Sequence, residues 1–263
     1  MTLAATVEGV GLVGPGLAGW SAARARLAGL EPFEPARTSI PAPDLLPATE
    51  RRRAGKTVKL ALAAGLEATR MARREARSLA TIFASSGGEA ENCHEICEAL
   101  AGEDRLISPT RFHNSVHNAA AGYWGIATGA MAPSDAIGAF DASFAAGLLE
   151  ALVRLKAEPA RAVLLIAYDT PYPRPLDDVR PIADSFAVAL VLSGEAREGV
   201  PRIEAALAPA APTQLADPAL EAARRGIPAA RSLPLLRALA LGSPATVALE
   251  YLGGQALRVE VRP

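Results

Sequence analysis

The chain has 263 residues, half of them apolar, and a formal net charge of -1. That length supports one large core, and the charge balance argues against a general nucleic-acid binder, which needs a clear basic excess. The apolar residues nowhere form the run of about 20 that a bilayer crossing requires, and no basic segment with a long apolar core opens the sequence, so a cytoplasmic protein is expected.

From Thr6 to Val13 the sequence predicts a strand, followed by the turn "GPGLAG" and a helix in "WSAARARLAGL". Prolines then exclude regular helix from Pro32 to Pro47, since each removes a donor and pushes its predecessor out of the α region. Thr49 is placed to cap one amphipathic helix through "ERRRAGKTVKLALAAGLEATRMA", where Val58, Leu62 and Leu66 recur every four residues. "SLATIFASSGG" reads as a buried strand and Ser/Gly turn, and Glu89 to Leu100 as a helix. "FHNSVHNAAAGYWGIATGA" has helical potential, Asp135 to Phe140 is a short strand, and Ala142 to Lys156 is a helix. Arg161 to Asp169 and Ser185 to Gly194 are core strands, the first a continuous apolar run that suits a sheet covered on both faces. The tail offers "PRIEAALA", a helix near Leu233 to Leu239, and two alternating runs about Gly253 and Gly254 that signal a hairpin. Strands alternating with helices predict α/β layering, and no internal repeat is visible.

The turn between Phe140 and Ala142 stands where enzymes place a nucleophile, at a strand end facing a helix N-terminus. Here it carries Asp141. "MAPSDAIGAFDASFAAGLLEAL" resembles the active-site segment of β-ketoacyl-ACP synthases of the thiolase fold, with Asp141 in the place of their cysteine. "VEGVGLVGPGLAGWSAARARLAG", "LPATERRRAGKTVKLALAA", "SPTRFHNSVHNAAAGYWGIATGA" and "DSFAVALVLSGEA" resemble further segments of the same family. The likeness is strongest to the short ketosynthase-like N-terminal domain group, found beside full ketosynthases in aryl-polyene pathways. It implies a thiolase-like α/β fold, with residues 1–195 as the ketosynthase-like domain and 196–263 as a truncated C-terminal segment on the same domain.

The same resemblance implies the loss of condensing chemistry. An Asp carboxylate is a poor thioester nucleophile without a tuned neighbour, and His94, His113 and His117 all precede Asp141, leaving no imidazole after it. No catalytic residue and no cofactor are therefore expected. The implied role is that of a chain-length-factor-like subunit, pairing with a full-length ketosynthase and shaping its acyl tunnel. Candidates for the tunnel or interface are Phe140, Phe144, Trp124, His113, His117 and Asn118. Arg51, Arg52, Arg53, Lys56 and Lys59 are candidates to meet an acyl carrier protein, with a solvated helix face as the simpler reading. Asp141 itself is either a helix cap or a participant at the partner's tunnel.

Two alternatives come from the residues. Asp141 could serve as base in a stand-alone acyl-thioester hydrolase or malonyl decarboxylase. Cys93-x3-Cys97 and His113-x3-His117 have zinc-ligand spacing and could make a zinc-binding scaffold. Otherwise the two thiols pack as small apolar groups while His94 points to solvent. Gly9-x-Gly11-x-x-Gly14 copies a dinucleotide-binding spacing, but its glycines begin inside a strand, so tight packing and a turn are expected of them. Ser85 to Gly88 read as a plain turn, with an anion-binding nest as the alternative.

Overall fold

A computed structural model describes residues 3–159 and 161–263. In chain order its elements are β1 (Leu3–Gly14), β2 (Leu17–Ala18), α1 (Trp20–Leu27), α2 (Ala48–Arg53), α3 (Lys56–Ala72), β3 (Ala80–Ala84), α4 (Ala90–Ala101), α5 (Pro109–Asn114) and α6 (Ala119–Thr128). There follow β4 (Ser134–Ile137), α7 (Ser143–Ala157), β5 (Ala162–Asp169), α8 (Leu176–Val179), β6 (Phe186–Ser193), β7 (Arg202–Ala208), α9 (Pro218–Gly226), α10 (Leu233–Leu241), β8 (Ala245–Glu250) and β9 (Ala256–Arg262). The strands form one sheet in the order β4-β3-β5-β6-β1-β7-β9-β8, with β2 paired to β1. β3 runs parallel to β4 and β5, and the remaining neighbours are antiparallel.

The apolar runs of β5 and β6 are buried along nearly their whole length because helices cover both faces of that part of the sheet. On one face α1, α7 and α10 join a core that includes Leu12, Phe144, Leu148, Leu165, Leu190 and Leu236. On the other, α3 and α6 pack Leu60, Ala64, Phe83, Trp124, Ile166 and Tyr168 together. The glycines of β1 let α3 lie close: a Cβ on Gly11 would fall on the Ala64 carbonyl, and one on Gly9 would come within 2.9 Å of Ala72 Cβ. Packing accounts for the glycine pattern, as the sequence suggested, and β2 separates Gly14 from the N-terminus of α1, where a pyrophosphate would need the helix to begin at the turn.

A topological repeat appears that the sequence does not display. The order β5-β6-β1 is mirrored by β8-β9-β7, and β5 is preceded by α7 as β8 is by α10. The two β-α-β-β units meet side by side at the antiparallel β1–β7 pair. Along β9 buried Leu257, Val259 and Val261 alternate with the exposed or half-buried Arg258, Glu260 and Arg262, as in a strand with one face toward solvent.

Several expected elements differ. The single helix predicted from Thr49 to Ala72 is broken into α2 and α3, with Ala54 and Gly55 extended between them, and Thr49 lies inside α2 without capping it. Buried Glu89 packs at the break: its carboxylate occupies the space a Cβ on Gly55 would need and accepts a hydrogen bond from Thr57 Oγ1. The long helical stretch from Phe112 divides into α5 and α6, with residues 115–118 between them. β4 ends at Ile137 rather than Phe140, and α9 was not foreseen.

Candidate functional site

The turn after β4 presents Phe140, Asp141 and Ala142 at the N-terminus of α7. Ser143 holds it shut: its Oγ donates to the Phe140 carbonyl at 2.7 Å and accepts the Ala139 N–H at 3.0 Å. Phe140 is forced to φ 53°, a left-handed value that non-glycine residues adopt at a cost of about 1–2 kcal/mol. The residue is 62% exposed. The Arg180 guanidinium stacks on that ring with its carbon 3.3 Å from the centroid, and the Tyr172 ring is 5.9 Å from the same carbon.

Asp141 does not cap α7, whose first turn has no side-chain cap. Its Oδ1 accepts from Arg180 Nη2 and its Oδ2 from Arg231 Nη2, each at 2.9 Å. Arg231 also pairs with Glu250. Asp141 lies two residues before Ser143, the first residue of α7, and Arg231 two residues before Leu233, the first of α10. The salt bridge therefore joins corresponding positions of the two repeated units. Each Asp141 oxygen is thus engaged by an arginine, and no imidazole or thiol adjoins the carboxylate among the hydrogen bonds it makes, so the hydrolase reading gains no support from this geometry.

Behind the turn lies a second polar group. Asp169, at the end of β5, is 3% exposed. Its Oδ1 accepts from the Ser86 N–H at 2.8 Å and from Ser85 Oγ at 3.1 Å, while Oδ2 has no partner among the described residues. Burial pushes its carboxyl up to about 7 against these hydrogen bonds. Ser86 Oγ is 3.1 Å from Tyr172 Oη and accepts from Arg180 Nη2 at 3.2 Å, so the buried acid is linked through Ser86 and Arg180 to Asp141. Ser85 and Ser86 are thus spent on this network rather than on an open anion nest.

The candidates named from sequence are dispersed. Phe144 and Trp124 are each 1% exposed and lie in the cores on opposite faces of the sheet. Only Phe140 of the three aromatics reaches the surface. His117 Nε2 lies 3.2 Å from the Ser85 carbonyl oxygen, so His117 borders the turn network. His113 and Asn118 are exposed and line a cavity of about 450 Å3 with Phe112, Val116, Tyr123 and Ile126. Arg51, Arg52 and Arg53 are exposed on α2, whereas Lys56 and half-buried Lys59 belong to α3, with Lys56 3.4 Å from Glu91.

Cys93 and Cys97 are both exposed on α4, not packed as apolar groups, and His94 is half-buried and 3.3 Å from Glu98. Among the described residues they do not gather with His113 and His117 into a group able to hold a metal ion. A second, apolar-lined cavity of about 380 Å3 lies elsewhere, between β1, α3 and residues 39–45. Sequence reasoning missed Arg180, Arg231, Tyr172 and Asp169. Of these only Asp169 carries a local signal, as an acid closing the apolar run of β5.

The sheet's two edges are treated differently. At β8, Thr213 covers the edge by donating its N–H to the Ala248 carbonyl and accepting the Ala248 N–H at Oγ1, both at 2.9 Å. Among the described residues β4 pairs only with β3, and exposed Ser134 and Ala136 stand on it. Helix α6 packs beside it and carries exposed Ile126, which shares a cavity with exposed Phe112 and Val116, and Met131, three residues before β4, is 94% exposed. Among the described residues no helix is long and apolar enough to cross a membrane.

The family model described as β-ketoacyl synthase, N-terminal domain, matches residues 20–247. No curated protein matches the chain. Among solved structures, a chain from the complex of the ketosynthase ApeO with its chain length factor ApeC, from Xenorhabdus doucetiae, is 23% identical at a TM-score of 0.75. The match covers 98% of this chain and 99% of that one. A chain of the ishigamide ketosynthase/chain length factor is 14% identical, TM-score 0.71, covering 99% of each. One from AntDE:AntF, a type II PKS acyl-carrier protein in complex with its ketosynthase, is 13% identical, TM-score 0.72, covering 100% of this chain and 99% of that one. At these identities the likeness is one of fold, and that fold is thiolase-like.

Proposed function

This chain belongs to the β-ketoacyl synthase N-terminal domain family, and on that premise we propose that it is a non-catalytic, chain-length-factor-like subunit that pairs with a full-length ketosynthase. In this reading residues 1–195 are the ketosynthase-like domain and 196–263 a reduced C-terminal segment packed on it. The subunit works in the cytoplasm, within an aryl-polyene or related assembly line, and helps to set the length of the acyl chain. Phe140 is its aromatic contribution to the acyl tunnel. The exposed arginines of α2 meet the acidic surface of the carrier protein.

The observation that carries this reading is the bare β4 edge beside an apolar surface, on a chain whose opposite edge is capped by Thr213. Unpaired edges invite strand addition and are normally blunted, and exposed apolar residues clustered beside one mark an association surface. The replacement of the nucleophile by a carboxylate already tied to two arginines supports a partner that supplies the chemistry.

Co-expression with the full-length ketosynthases of its own host, followed by sizing, tests the proposal. One of them is expected to co-elute with the chain. Phe112→Asp and Ile126→Asp, both at exposed positions, should each weaken that complex at least about tenfold, the loss of one well-packed contact, while leaving the chain folded. A lone monomer in the presence of every such ketosynthase would remove the proposal.

A further inference from the structure

Asp141 caps no helix, yet the groups around it are arranged with care for a carboxylate, one arginine to each oxygen. Arg180 and Arg231 approach from two separate segments and place one N–H on each oxygen at 2.9 Å. Each guanidinium is held by neighbours other than Asp141. Arg180 lies against the Phe140 and Tyr172 rings and donates to Ser86 Oγ. Arg231 is backed by Glu250, and its Nε is buried with no partner among the described residues. The cations would therefore keep their places if the carboxylate were absent, leaving two preorganised donors facing one gap.

Charge makes the same demand. Burial disfavours the charged form of Arg231, the nearby charges of Arg224 and Arg180 add to that, and Asp141 opposes it. Two guanidinium groups this close, with side chains only 15% and 19% exposed, call for an anion between them. The Asp141 side chain is 30% exposed, so the gap it fills opens to solvent.

We propose that Arg180 and Arg231 form a carboxylate-binding site, that Asp141 is its built-in occupant, and that a small aliphatic carboxylate from solvent takes its place when that side chain is removed. In the intact chain Asp141 is then a positioning residue. It ties the β4–α7 turn to the segments that carry Arg180 and Arg231, and through Arg180 it fixes the Phe140 ring. The inference does not depend on the proposed partner and is tested on the chain alone.

Asp141→Gly empties the site. Its melting temperature is expected to fall below that of the wild type and to recover on titration with sodium acetate, beyond any effect of sodium chloride at equal ionic strength. Calorimetry with acetate should give an affinity at least tenfold higher for Asp141→Gly than for the wild type, in which the site is filled. Asp141→Gly/Arg180→Gln should lose the acetate response, and Asp141→Asn, whose amide still fills the gap, should not gain it. Where glycine prevents folding, Asp141→Ser replaces it, and folding of either variant only in the presence of acetate counts as the same rescue. Equal responses to acetate and chloride, equal acetate affinities in variant and wild type, or failure of both variants to fold even with acetate overturns the proposal.

Discussion

Between pH 5 and pH 8 the wild-type chain is expected to lose roughly 3 kcal/mol of stability that Asp169→Asn does not lose. Asp169 is buried at the end of β5, and burial lifts its carboxyl from the ordinary 3.8 to about 7. Because the folded value lies above the unfolded one, the native state holds the proton across that interval while the unfolded chain has released it. Stability is then greatest below about pH 4, declines as pH rises, and levels off above about 7. Asparagine keeps an acceptor for the Ser86 N–H and Ser85 Oγ, but cannot ionise. Its amide nitrogen would occupy the place where Oδ2 has no partner, at a pH-independent cost of about 1–3 kcal/mol. Glu67 and Glu89, raised by burial, tilt the curve the same way in both proteins. Glu8 and Glu221, held low first of all by hydrogen bonds from Arg74 and Arg224, release their contribution only at more acid pH, again in both. The difference between the two proteins therefore isolates Asp169. Urea midpoints at the two pH values measure it, and parallel curves would remove the assignment.

Most strands could be placed from sequence because burial on both faces leaves an unmistakable mark. β5 and β6 are unbroken apolar runs between turn residues, and the β8–β9 hairpin shows its alternation about Gly253 and Gly254. Helix periodicity located α3 and α7 equally well. What failed was continuity: α2 and α3 read as one helix because Gly55 is a modest penalty locally, and the carboxylate packed at the break belongs to Glu89, 32 residues on from its partner Thr57. The same reason hid the charged cluster. Asp141 could be singled out from its turn, but Arg180 and Arg231 lie 39 and 90 residues away, in segments with no pattern of their own. Nothing local distinguishes them from the other arginines. The aromatics erred in the opposite direction, since Phe144 and Trp124 proved to be core, the usual fate of large apolar side chains.

Gly11→Val is expected to cost about 3 kcal/mol, the upper end of overpacking effects, and to leave little folded protein if the chain is only marginally stable. Gly9 and Gly11 are two apart on β1, so they present the same face to α3, where Ala64, Ala68 and Ala72 recur at helical spacing. The atom that a side chain at 11 would strike is a helix backbone carbonyl, which cannot turn aside as a flexible side chain could. Relief requires α3 to retreat from the sheet. That motion would strip Gly65 of the same helix of its close contacts with Ile166 on β5 and the Trp124 ring, each within 2.7 Å of where its Cβ would stand. Gly122→Ala in α6 is the matched control: no atom lies within 4 Å of its Cβ position, and removing a helical glycine should be neutral or stabilise by up to about 1 kcal/mol. Denaturation of both variants separates backbone proximity from a general intolerance of glycine substitution. Opposite signs at the two positions are expected, and a Gly11→Val chain as stable as the wild type would mean that α3 does not rest on β1 as closely as described.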